Sequence, residues 1–171
     1  GIHLVDLMQF IGGPVRAVHA FTDTLCHEGV EVEDSAVATV RFASGAMGTI
    51  VASTCCAPGH PRRLEISGSE GHVELVDDRI TACRFADPDR QQAWLDPSGQ
   101  GNRSSGGGAG DPASISTLGH RLQIQDFTDA IRHGRPPGVT GDDGRHAVEL
   151  ICALYASART GQPVTMASAE G

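Results

Sequence analysis

Ser35-Ala36-Val37-Ala38-Thr39-Val40-Arg41-Phe42, followed by Ala43-Ser44-Gly45 and then by Ala46-Met47-Gly48-Thr49-Ile50-Val51-Ala52-Ser53-Thr54-Cys55-Cys56, is the stretch on which the fold turns. Both long runs are rich in β-formers, and the first alternates weakly between apolar and polar positions. A three-residue link that contains glycine is an ordinary hairpin connection. Gly48, Ala52 and Ser53 leave room for close packing over the second strand.

Upstream of the hairpin, Val15 to Cys26 reads as a further strand, with His19 as a half-exposed sheet residue without a role. His27 to Asp34 carries four carboxylates but lacks the Asp-x-Asp-x-Asp-Gly order of a calcium loop, so it reads as a solvated connection. Downstream, Ala57-Pro58-Gly59-His60-Pro61 breaks the pattern. Three more strands follow: Arg62 to Gly68, His72 to Val76 and Arg79 to Phe85. Their short turns make the sheet largely antiparallel. From Ala86 to Ser116 order is expected to fall. The Gly-rich run predicts a mobile surface loop over about 96–116, anchored at its near end by Trp94 and Leu95. It has no strand before it and no helix directly after it in the order a phosphate cradle needs.

Helical patterns flank the strands. Ile2 to Ile11 is a short helix stopped by Gly12-Gly13-Pro14, with Leu4, Leu7, Met8 and Ile11 as its apolar face. Leu118 to His133 is amphipathic, with Leu122, Ile124, Phe127, Ala130 and Ile131 expected inside, and Gly134-Arg135-Pro136-Pro137-Gly138 ends it. Asp142-Asp143-Gly144-Arg145 opens the last helix, where acidic residues suit the N-terminus. Ala147, Val148, Leu150, Ile151, Leu154 and Ala158 form its apolar face, and Gly161 caps it. Gln162 to Met166 is a final edge strand. Helix, then strands, then helices indicates α+β. The expectation is one domain over residues 1–171. It has an open, mostly antiparallel sheet, helices on one face, and an apolar face left free to meet a second copy or another domain.

Composition narrows the function. The net charge is −8 and no Lys/Arg run or aromatic–basic stripe is present, which argues against a nucleic-acid partner. No apolar stretch approaches the roughly 20 residues that span a bilayer. All 13 basic residues are Arg, so no Lys-dependent step comes from this chain. Abundant Ala, Gly and Arg fit a GC-rich bacterial gene. The five cysteines, Cys26, Cys55, Cys56, Cys83 and Cys152, match no disulfide framework and no C-x-x-C metal motif. Cys26-His27 with Cys55-Cys56 is the combination of metal-ligand types, and no metal is assigned to it. The thiols read as buried and free, in a reducing, cytoplasmic setting. The chain opens partway into a helix with no capping residue, which predicts a piece of a longer protein.

On the opening helix His3, Asp6 and Phe10 share a face. His3 and Asp6 are three residues apart, so their side chains can approach. A carboxylate beside an imidazole orients the ring for general acid–base work. The competing reading is a solvated helix flank.

Several stretches in order resemble one family. They are Gly1-Ile2-His3-Leu4-Val5-Asp6 leading to Gly13-Pro14-Val15, Val32-Glu33-Asp34-Ser35-Ala36 leading to Gly45-Ala46-Met47-Gly48, and Arg63-Leu64-Glu65-Ile66-Ser67-Gly68-Ser69-Glu70-Gly71. To these add Asp126-Phe127-Thr128-Asp129-Ala130-Ile131 with Gly134-Arg135-Pro136-Pro137, then Ala147-Val148-Glu149-Leu150 to Ser157-Ala158. Together they resemble the C-terminal domain of the glucose–fructose oxidoreductase / inositol dehydrogenase / MocA oxidoreductases. The resemblance implies a nicotinamide-dependent parent, using NAD or NADP, that acts on a sugar, cyclitol or related polyol. The dinucleotide and a catalytic Lys would belong to an N-terminal Rossmann domain that this chain lacks, so the chain alone binds no cofactor and is expected to be inactive. The C-terminal domain of such enzymes builds the substrate pocket and oligomerises through its sheet. By the resemblance His3 is the histidine of a catalytic Asp-x-x-x-His pair whose aspartate would precede Gly1. Asp6 takes the acidic position three residues on. His120, at the start of the long helix, is a further substrate-side residue, with Arg121 and Gln123 as weaker candidates. A stand-alone binding or assembly module is the alternative, and NAD-dependent glycoside cleavage is a variant of the first reading.

Overall fold

A computed structural model describes residues 1–77, 79–95 and 118–167, with the side chain of Leu95 left out. The element order is α1 (Ile2–Gly12), β1 (Val15–Asp23), β2 (Ser35–Phe42), β3 (Met47–Ser53), β4 (Arg63–Gly68), β5 (Gly71–Val76), β6 (Arg79–Phe85), α2 (Pro88–Leu95), α3 (Leu118–His133), α4 (Gly141–Thr160) and β7 (Val164–Thr165). All pairings are antiparallel. The fold is α+β with open sheets, as the order of patterns implied. The expected mobile loop, about 96–116, lies outside the described residues.

The strands divide between two sheets rather than joining in one. β3-β2-β1-β7 form a four-stranded sheet and β4-β5-β6 a three-stranded one. The Pro/Gly-rich link Ala57–Pro61 separates them. Two compact units follow from this, Gly1–Pro58 with Val139–Gly171, and Gly59–Gly138.

In the first unit the hairpin forms around the expected three-residue link. Phe42 N–H donates to Ala46 O at 2.9 Å and closes the Ala43–Gly45 turn, where Gly45 takes φ 92°. β2 alternates strictly: Ala36, Ala38, Val40 and Phe42 are buried, and their neighbours face outward. The inner face packs against α4 through Val18, Ala20, Ala38, Val40, Leu150 and Leu154. Full burial of a residue such as Leu150 contributes ~1.5–3 kcal/mol. α4 starts at a capping box: Thr140 Oγ1 accepts from Asp143 N–H, and the Asp143 carboxylate accepts from Thr140 N–H. It ends at Gly161, which is left-handed at φ 64°. β7 is an edge strand, paired to β1 at Ala17 and Val18. Val148 departs from the expected α4 face and is 50% exposed.

α1 packs with a different stripe from the expected one. Val5 is its buried residue and Ile11 is 46% exposed. Met8 joins the core, and Gly12 lies against the Phe42 ring, where an added Cβ would come within 2.5 Å. The inward line is therefore Val5, Met8, Gln9 and Gly12. The close approach permitted by Gly12 sets the helix's rotation, and Leu4, Leu7 and Ile11 fall to its side.

The second unit adds an unexpected helix. Order does not fall at Ala86, because Asp87 caps α2: its carboxylate accepts from Asp89 N–H at 2.9 Å, and Pro88 takes the first helical position. Gln91 ties α2 to β6, accepting from Phe85 N–H at 2.8 Å. α3 ends in a Schellman motif, with Arg135 N–H to Ala130 O at 3.1 Å and Gly134 at φ 61°. Its expected buried side is largely exposed: Leu122, Ile124, Phe127 and Ile131 are between 56% and 68% exposed, and Ala130 alone is buried. The pattern marked an apolar stripe correctly, yet the described residues supply nothing to cover it.

The five cysteines are free, and none is buried: Cys26, Cys56 and Cys152 are exposed, and Cys55 and Cys83 are partly so. Apolar neighbours in sequence did not translate into burial, because Cys26, Cys55 and Cys56 sit past strand ends and Cys152 on the outer side of α4. Among the described residues no helix is long and apolar enough to cross a membrane.

Candidate functional site

α1 presents His3, Asp6 and Phe10 to solvent, roughly opposite the Val5–Met8–Gly12 stripe at about 100° per residue. Phe10 is 85% exposed and Ile2 43%. Among the described residues the side chains of His3 and Asp6 make no hydrogen bond or ion pair, so the orienting contact expected between them is not formed. A helix whose inner line is consumed by core packing thus carries its titratable groups and two large apolar side chains outward.

His120 is exposed in the first turn of α3, as are Arg121 and Gln123. They belong to the second unit, whereas His3 and Asp6 belong to the first.

Sequence reasoning passed over Asp34. It is not solvated with the rest of the acidic connection but 5% exposed. Oδ1 accepts from Leu25 N–H at 2.9 Å, and Oδ2 accepts from Cys26 N–H at 2.8 Å and His27 N–H at 3.0 Å. The Cys55 thiol beside it, together with these amides, holds its carboxyl well below the usual carboxylate range. The one available signal was position: an Asp directly before a strand, facing the end of the preceding strand. Glu33 beside it accepts from the Tyr155 hydroxyl of α4 at 2.6 Å. Asp126 plays a similar part in the second unit, accepting from Gly138 N–H and from Arg135, each at 2.6 Å.

Against known proteins, residues 1–74 match the family model described as the GFO/IDH/MocA C-terminal domain. The chain is 29% identical over 155 residues to the myo-inositol 2-dehydrogenase of Thermotoga maritima, covering 87% of this chain and 42% of that protein. It is 30% identical over 169 residues to the scyllo-inositol 2-dehydrogenase (NAD(+)) of Bacillus subtilis, covering 96% and 46%. The crystal structure of the WlbA dehydrogenase from Bordetella pertussis, in complex with NADH and UDP-GlcNAcA, superposes with a TM-score of 0.74 at 27% identity, over 96% of this chain and 43% of that one. These relatives are dehydrogenases, two of them inositol dehydrogenases. Over residues 1–74 the chain is similar to the GFO/IDH/MocA C-terminal domain, and it spans just under half the length of the curated relatives it matches.

Proposed function

We propose that this chain is the substrate-binding and oligomer-forming half of a cytoplasmic NAD(P)-dependent oxidoreductase that acts on a sugar, cyclitol or related polyol. The observation that carries the reading is His3: it stands on the outward face of a helix within the family-matched segment, free to line a site completed by another domain. The lengths and names of the relatives support the same reading, since two are inositol dehydrogenases about twice as long.

Oxidation of a C–OH group sends a hydride to a nicotinamide and releases the hydroxyl proton. His3 hydrogen-bonds that hydroxyl and takes or relays its proton. The family resemblance assigns Asp6 and His120 each to substrate binding. By the family resemblance the cofactor is assigned to an N-terminal Rossmann domain. The isolated chain is then inactive.

The test is His3→Ala in the parent enzyme, assayed with NAD+ and NADP+ against a panel of inositols and sugars. Turnover is expected to fall by about 10²–10⁴. Unchanged turnover would favour a non-catalytic binding or assembly module, a role that the exposed Phe21 and Val51 on the outer sheet face would serve. Hydride transfer by the isolated chain would overturn the division of labour.

A further inference from the structure

At the end of the four-stranded sheet away from the Ala43–Gly45 turn, Asp23, Ser35 and Ser53 pair side by side. The residues just beyond these three strand ends bring chemically compatible side chains together. Cys26 Sγ, Cys55 Sγ and a carboxylate oxygen of Asp34 all lie within 4.8 Å of one another. His27 Nδ1 is 3.2 Å from Asp34 Oδ2 and 4.0 Å from Cys55 Sγ.

We propose that this cluster is a structural site for a zinc-class divalent cation, held by the thiolates of Cys26 and Cys55, Nδ1 of His27 and the carboxylate of Asp34. The sequence reading assigned no metal here; it lacked Asp34 and the convergence of the strand ends.

The donor set argues for the metal class. Two thiolates and an imidazole are the ligands of zinc and similar borderline ions, whereas calcium and magnesium take oxygen. The geometry is close to what such an ion needs. With metal–sulfur bonds of ~2.3 Å and metal–N/O bonds of ~2.0 Å, tetrahedral ligand–ligand edges are roughly 3.2–3.8 Å. The distances here exceed that by about 1 Å at most among the three mutually adjacent donors, and His27 already meets it at Asp34.

Preorganisation is supplied by Asp34. The amides of Leu25, Cys26 and His27 occupy three of the roughly four lone-pair sites of a carboxylate, and the remaining neighbours are the His27 ring and the Cys55 thiol, whose protons a cation would replace. The same three bonds fix the backbone that carries Cys26 and His27. Charge points the same way: Asp34 is a buried anion, and His27 is the basic side chain paired with it among the described residues. His27 and Cys26 are exposed, which gives an ion an entry path. Binding releases the two thiol protons to solvent and requires the His27 tautomer with its proton on Nε2. Four protein ligands close the site, so its role is to clamp β1, β2 and β3 at one edge rather than to activate water.

The test uses Co2+ added to the fully reduced, purified chain without oxygen, with Zn2+ as competitor. One equivalent should bind, give a thiolate-to-cobalt charge-transfer band and tetrahedral visible bands, and be displaced by Zn2+. Cys26→Ser and Cys55→Ser should each weaken binding by more than about tenfold, the lower bound seen even for outer-shell partners. Cys83→Ser and Cys152→Ser should leave it unchanged. Circular dichroism checks folding, and exposed Cys26, outside any strand, is the variant least exposed to a folding artefact. Absence of the bands in the reduced chain, with the two thiols instead forming only a Cys26–Cys55 disulfide in air, would overturn the proposal. So would bands that persist in both variants.

Discussion

Ser157 Oγ in α4 accepts the amide hydrogen of Ala20 in β1 at 3.0 Å, and its own hydroxyl donates to Gln162 O at 2.7 Å. Both residues are fully buried. β7 pairs with β1 only at Ala17 and Val18, so the Ala20 amide lies beyond the reach of the edge strand. One serine satisfies it instead and ties the helix to the sheet across 137 residues of sequence. Ser157→Ala leaves a buried amide and a carbonyl without their partner and should cost about 1–3 kcal/mol, read as a lower denaturant midpoint at unchanged slope.

Gly12 and Phe42 are a second such pair. A Cβ at Gly12 would meet Phe42 Cε1 at 2.5 Å, and the ring is 5% exposed, with little freedom to move away. Gly12→Ala should therefore destabilise by about 1–3 kcal/mol through overpacking, against the ~1 kcal/mol that Ala gains over Gly in a helix. A double-mutant cycle with Phe42→Leu should show favourable coupling, because the smaller side chain makes room. Additive effects would mean that α1, and His3 with it, is not seated by this contact.

Acid should unfold the chain through specific carboxylates. Gly138 N–H and Arg135 hold Asp126 below the ordinary value of 3.8, and the Thr140 hydroxyl and amide do the same for Asp143. A carboxylate depressed in the folded state stabilises it at every pH above its unfolded value and loses that contribution as pH falls through the folded value. Stability should hold from neutrality down to the 3.8 region and drop below it. Asp126→Asn and Asp143→Asn should each lower stability at pH 7 and flatten the acid limb; an unchanged limb would rule out those residues as its source.

The outer face of the four-stranded sheet carries the cross-strand row Phe21–Val37–Val51, exposed to 69%, 50% and 74%. If copies associate through this face, Phe21→Asp with Val51→Asp should give monomers by sedimentation, with unchanged far-UV circular dichroism. An unsubstituted chain already monomeric at high concentration would argue against self-association there.

Local chemistry was legible where the chain satisfied itself locally. The Ser35–Phe42 strand, its Gly45 turn, the Gly134 and Gly161 stops and the final edge strand all follow from short-range rules, and each stands as expected. α2 was equally local and was missed: Asp87-Pro88 is a cap followed by a favoured first helical residue, but it lies in the stretch from Ala86 onward where order was expected to fall. Asp34 was not legible, because its amide donors come from the end of the preceding strand across the connection. Nor was the true inner line of α1, which depends on how closely Gly12 approaches a ring 30 residues away.

By itself the sequence determined the class of fold, the antiparallel pairing, a family resemblance and the choice of His3 and Asp6 as candidates. These rest on periodicity, turn residues and ordered motifs, which act over a few residues at a time. The tertiary structure decided which way α1 faces, the division of the strands into two sheets, the open apolar side of α3 and the meeting of Cys26, His27, Asp34 and Cys55. Those outcomes depend on contacts between segments far apart in the chain, where steric fit and the pairing of buried polar groups select among arrangements that local pattern leaves equivalent.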